Sequence, residues 1–97
     1  MSVKLLAAQS STQNSAALSA FGTETKTMNV VSNGTTTSGV IKLQGSNDNT
    51  NWSDLATRTL TVAGNFSDKV TEKFDLYRVA ITTIIGGGGT VDVYFSY

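Results

Sequence analysis

Apolar residues recur along this chain mainly with period two, in runs rich in Val, Ile, Thr, Tyr and Phe bounded by Gly, Asn, Asp and Ser. No window sustains the 3.6-residue period that a helix of ten or so residues requires, so the pattern is that of an all-β protein. It predicts strands over Val3–Ala7, Lys26–Val31, Ser38–Gln44, Asp54–Val62, Lys73–Ile84 and Thr90–Tyr97. Ala17–Phe21 reads as a short strand or one helical turn, and Phe66–Val70 as an edge piece.

Alternation assigns each strand a face. Met28 and Val30 oppose Asn29, Ile41 and Leu43 point in while Lys42 and Gln44 point out, and Tyr77, Val79 and Ile81 alternate with Arg78, Ala80 and Thr82. Val91, Val93 and Phe95 alternate with Asp92 and Tyr94. Phe74 and Leu76 fall out of phase with Tyr77, which predicts a bulge or bend near Leu76 where the strand enters the sheet.

Short strands spaced roughly 8 to 12 residues apart, each buried on one side, are best satisfied by two antiparallel sheets packed face to face. The expectation is one antiparallel β-sandwich over residues 1–97, jelly-roll-like or immunoglobulin-like, with a small barrel as the alternative. Its core would contain Ile41, Leu43, Trp52, Leu55, Tyr77, Val79, Ile81, Val91, Val93 and Phe95. Residues 1–17, polar and aperiodic after Gln9, read as an N-terminal arm or as an edge strand and loop.

Composition removes several chemistries from consideration. The 97 residues hold seven basic and seven acidic side chains with no basic cluster, so neither nucleic acid nor an anionic membrane is favoured as a partner. Without Cys or His there is no thiolate nucleophile, and the usual general base and commonest metal ligand are missing. The chain is expected to be non-enzymatic and to carry no cofactor. The first residues lack a signal-peptide core, and no stretch approaches the about 18 apolar residues of a membrane span, which predicts a soluble, unexported protein. Sequons at Asn33, Asn51 and Asn65 are expected by chance in a chain so rich in Ser and Thr.

The stretch LQGSNDNTNW, residues 43–52, invites a metal reading, since Asn47, Asn49 and Asn51 take the alternate positions of a calcium loop. Those positions carry neutral amides, Trp52 stands where the sharp-turn Gly belongs and Arg58 where the bidentate Glu belongs, so the site lacks its charge. A structural turn built from Asp48, Asn49, Asn51 and Trp52, with the indole N–H on a loop carbonyl, is the simpler account. Gly86–Gly89 precedes a strand rather than a helix and reads as a hairpin connection, not a phosphate cradle. Asp54, Asp68, Glu72, Asp75 and Asp92 read as solvated faces and turn ends. Arg78, Tyr94 and Tyr97 are residue types favoured at protein interfaces.

The run SGVIKLQGSNDNTNWSDLAT, then LYRVAIT and a Gly-rich turn before TVDVYF, resembles small β-sandwich structural proteins of tailed-phage virions. In those a strand ends in a GS-(N/L)-D-G-x-x-W turn, and a later strand carries Tyr-(x)-Arg-apolar-x-apolar. Gly45, Ser46, Asp48, Trp52, Leu55, Tyr77, Arg78, Val79 and Ile81 fill the pattern over about residues 38–95; Asn49 replaces the usual Gly, a tolerable swap at positive φ. The opening VKLLAAQSSTQNSAALSAFG also looks like the start of such proteins. The resemblance implies a capsid decoration protein at the virion surface, made in the host cytoplasm. It would dock on the major capsid protein lattice and on neighbouring copies of itself, with Val3, Leu5, Arg78 and Tyr94 as candidate partner contacts. A carbohydrate- or receptor-binding sandwich, or a tail or neck protein, is the alternative.

Overall fold

The computed structural model describes residues 2–19 and 25–97. Among the described residues every regular element is a strand: β1 (Ser2–Gln9), β2 (Gln13–Asn14), β3 (Leu18–Ser19), β4 (Lys26–Asn33), β5 (Ser38–Ser46), β6 (Ser53–Leu60), β7 (Gly64–Val70), β8 (Leu76–Gly86) and β9 (Thr90–Ser96). Ala20 and Phe21, the end of the segment read as strand or helical turn, lie outside the described residues.

The strands form two antiparallel sheets, β1-β9-β4-β7 and β2-β8-β5-β6, with β3 also on β8. The chain thus pairs like one long hairpin: β1 with β9, β2 and β3 with β8, β4 with β7, and β5 with β6. Rolling that hairpin brings β4 onto β9 and β5 onto β8. This is the jelly-roll order rather than the immunoglobulin order, and the two sheets do not close into a barrel.

The alternation explains the core. Tyr77, Val79 and Ile81 of β8 with Ile41 and Leu43 of β5 supply one inner layer; Met28 and Val30 of β4 with Val91, Val93 and Phe95 of β9 supply the other. Leu6, Leu60, Val70 and Ile85 complete it from the sheet edges and strand ends. An aromatic ladder runs through it: Phe74 meets the Tyr77 ring edge-on at 6.4 Å, Tyr77 stacks on Phe95 at 5.2 Å, and Phe95 on Tyr97 at 5.7 Å. The Tyr77 hydroxyl, inside the protein, donates to the Glu72 carbonyl and accepts from the Phe74 N–H, both at 2.9 Å. A polar group buried in this way keeps its hydrogen bonds.

Two expectations are corrected here and one is narrowed. The register of β8 on β5 is continuous from Leu76 to Ile81, so of the bulge or bend expected near Leu76 it is the bend that forms, at Asp75 where the chain enters β8. Phe74 is out of phase because it precedes the strand and folds onto Gly45, where a Cβ would come within 2.6 Å of its ring. Leu55, the extra residue where β6 slips against Leu43 and Gln44 of β5, packs half-buried against the core rather than in it. Trp52 is not a core residue either: it is half-buried in the turn between β5 and β6, with its ring against Arg78.

Residues 2–17 are woven into both sheets. β1 lies along β9, while the chain beyond it crosses to β8, where the Ser15 N–H donates to the Val79 carbonyl at 2.8 Å and the Ile85 N–H to the Ser10 carbonyl at 2.8 Å. Of the two expectations for this segment, the described residues adopt edge strand and loop. The crossing depends on Ala8, a non-glycine at φ 49°, whose N–H donates to Asp92 Oδ1 at 2.8 Å.

At one end of the sandwich the β4–β5 and β8–β9 connections clasp each other. Gly87 and Gly88 both sit at φ 82°, which side chains rarely adopt. The Gly87 carbonyl accepts from the Thr35 hydroxyl, and the Gly86 carbonyl from the Thr37 N–H at 3.1 Å. The glycine run is a hairpin turn held by backbone acceptors.

Candidate functional site

The turn after β5 is built by two short side chains. Ser46, buried, accepts at Oγ from the Asp48 N–H at 3.2 Å and the Asn49 N–H at 3.0 Å, and donates to Asp48 Oδ1 at 3.0 Å. Asp48 Oδ1 in turn accepts from the Thr50 and Asn51 N–H groups at 2.9 and 2.8 Å, and its Oδ2 from Asn51 Nδ2 at 2.8 Å. Asn49 takes φ 61°, and Asn47 Oδ1 accepts from the Asp75 N–H at 3.0 Å, tying this turn to the β7–β8 connection. Both Asp48 carboxylate oxygens and Asn47 Oδ1 are thus engaged with the protein itself. Among the described residues no three Asp or Glu side chains gather into a metal-holding group.

Those donors hold the Asp48 carboxyl far below the usual carboxylate range, the Asn51 and Thr50 N–H groups being the main cause. A depressed folded-state pKa contributes stability above the ordinary carboxylate value, and that contribution is lost as pH falls toward the folded one. Asp48→Asn is therefore expected to be less stable than the parent near neutrality and to lose less on acidification. Urea midpoints measured from about pH 5 down to about pH 2 check this; parallel acid limbs for parent and variant would contradict it.

The turn sets Trp52 beside the outer face of the β8-β5-β6 sheet. There the side chains pointing away from the core form one continuous row across three strands. Lys42 Nζ lies 2.9 Å from Asp54 Oδ2, Gln44 Nε2 donates to Asp54 Oδ1 at 2.8 Å, and Arg78 Nε donates to Gln44 Oε1 at 2.8 Å. The Arg78 guanidinium then lies 4.2 Å from the centre of the Trp52 ring. The Gln44 and Lys42 hydrogen bonds lower the Asp54 pKa. Gln44 is thus fixed in orientation, its amide donating to Asp54 and its carbonyl accepting from Arg78.

The candidate contacts do not form one surface. Arg78 is on this outer face; Tyr94 is on the outer face of the opposite sheet, with Lys4 Nζ 5.3 Å over its ring. Val3 and Leu5 belong to edge strand β1, both half-buried, with Leu5 packed against the core. The other carboxylates are dispersed. Asp92 pairs with the Ala8 N–H, Asn33 Nδ2 and Lys4, and Glu72 accepts from the Thr71 N–H. Asp68 takes both Nε and Nη2 of Arg58, at 3.0 and 2.8 Å.

That last pair went unnoticed in the sequence. Arg58 shares the inner face of β6 with Leu60, turns over the Phe66 ring at 5.2 Å, and closes the gap between edge strands β6 and β7 of the two sheets. An inward-pointing charge on an edge strand also discourages another chain from pairing there.

Among the described residues no helix is long and apolar enough to cross a membrane. No family model matches this chain, and no curated protein matches it in sequence. Among solved structures, the crystal structure of SPBc2 prophage-derived protein YomS is similar, with a TM-score of 0.62 at 15% sequence identity over 99% of this chain and 92% of that one. At that identity the likeness is one of fold.

Proposed function

We propose that this chain is a non-enzymatic structural protein of a tailed-phage particle, a decoration protein that docks on the major capsid protein lattice and stabilises the shell. The observation that carries this reading is the end-to-end likeness to a prophage-derived protein, in a jelly-roll order that also serves in viral capsids. The virion-type turn and Tyr-Arg strand support it, because they converge on one built feature, the Trp52–Arg78 pair. Titratable groups at Asp48, Asp54, Asp68 and Asp92 serve structural hydrogen bonds, as a scaffold would use them. A small domain without chemistry acts by number: many copies, each weakly held, favour the assembled lattice by mass action.

The test uses heads purified from a phage deleted for this gene. Added protein is expected to co-sediment with them to a saturable copy number and to raise their melting temperature. Protein that stays in the supernatant overturns the reading. Retention on a glycan column, competed by free sugar, would favour a binding module, and immunogold label on tails would favour a tail or neck protein.

A further inference from the structure

The two aromatic-stacked arginines differ in one respect. Arg58 lies over Phe66 and gives Nε and Nη2 to the Asp68 carboxylate, so its hydrogen-bonding edge is closed from within. Arg78 lies against Trp52 and gives only Nε, to Gln44; among the described residues no acceptor meets its terminal nitrogens. Everything that orients a guanidinium is in place around Arg78: a ring beside it, an amide fixed by Asp54, and Asp54 held by Lys42. A planar fork held this way loses little entropy on meeting a planar acceptor, and a carboxylate matches it with two parallel hydrogen bonds. Trp and Arg are also the side chains that most often dominate binding at the centre of an interface.

Resting on the function proposed above, we infer that the outer face of the β8-β5-β6 sheet is the docking face, and that Arg78 receives there an Asp or Glu carboxylate of the capsid lattice protein, with Trp52 as the rigid anchor beside it. The partner carboxylate takes the place at Arg78 that Asp68 takes at Arg58. The opposite outer face lacks this arrangement: Lys4 covers Tyr94 and is itself held by Asp92 at 3.9 Å. The chain carries no net charge, so recognition is by local geometry and not by long-range steering.

Two measurements on the full chain test this. In the first, parent, Arg78→Lys and Lys4→Ala proteins are titrated onto gene-deleted heads and sedimented, with thermal melting confirming that each variant is folded. Arg78→Lys keeps the charge but loses the fork, and should weaken binding at least about tenfold, while Lys4→Ala on the opposite face binds like the parent. If Arg78→Lys binds as the parent does, the docking face is wrong while the proposed function stands. In the second, the Nε–H resonances of Arg58 and Arg78 are followed by NMR as a hexaglutamate peptide is added. Arg78 should shift saturably and Arg58 should not; an unmoved Arg78, or equal shifts at both, overturns the carboxylate assignment. Should the parent fail to bind heads while Arg78 still responds to the peptide, the capsid reading falls and the carboxylate-binding site remains.

Discussion

Tyr77→Ala is expected to cost about 3–5 kcal/mol, the range for truncating a fully buried aromatic ring. Tyr77 is the largest of the fully buried side chains and sits between Phe74 and Phe95 in the aromatic ladder. Removing it opens a cavity in contact with both inner layers, and also strands the Phe74 N–H and the Glu72 carbonyl, which the hydroxyl ties into the segment before β8. Tyr77→Phe separates the two contributions, because it keeps the ring and should cost about 1–3 kcal/mol for the unpaired groups alone. Domains of this kind are typically stable by about 5–15 kcal/mol, so the alanine variant removes a large share of the whole. Urea unfolding gives the answer as a shift of midpoint at unchanged slope. An alanine variant within about 1 kcal/mol of the parent would mean that the ladder is not what holds the sheets together.

The long strands were legible because their burial is one-sided. Met28 and Val30, Ile41 and Leu43, Tyr77, Val79 and Ile81, and Val91, Val93 and Phe95 are buried where the period-two pattern places them, while Ala80, assigned to the opposite face of β8, is buried as well. Strand order was not legible, since immunoglobulin-like and jelly-roll sandwiches share that pattern and differ only in which strands pair. The N-terminal segment was obscured by its irregularities. Register slips between Lys4 and Leu6 and again before Gln9, with Ala8 at positive φ, interrupt the alternation, and β2 and β3 are two residues each.

At the candidate site the turn residues were legible because Ser, Asp and Asn bond their own backbone. The placement of Trp52 was not. A lone Trp after a turn defaults to the core on hydrophobicity, and only the fold shows that this turn brings it to a face where Arg78 is already pointing out. Arg58 and Asp68 are ten residues apart on strands of different sheets, a closeness that no local pattern carries.

Deleting residues 2–17 is expected to abolish folding rather than to free a sandwich from an arm. β1 supplies the pairing along one side of β9, and Leu6 is buried beneath it. Without β1, β9 becomes an open edge beside an uncovered core, the condition under which sheets pair with other chains and aggregate. The same deletion takes Ser10 and Ser15 from β8, leaving the Ile85 N–H, the Val79 carbonyl and the Val79 N–H without their partners. Each such loss inside a protein costs about 1–3 kcal/mol, and together with the lost apolar burial they exceed what a small domain holds in reserve. The deletion should therefore be insoluble, or soluble without a cooperative melt or a strand-type circular dichroism spectrum. Leu6→Ala gives a graded version that keeps the backbone pairing, with an expected loss of about 2–5 kcal/mol by urea unfolding. A deletion variant that melts cooperatively near the parent, together with a Leu6→Ala protein of unchanged stability, would show that the segment is an appendage after all. It would then be free to order on a neighbouring subunit, and docking would have to be sought there as well as on the face around Arg78.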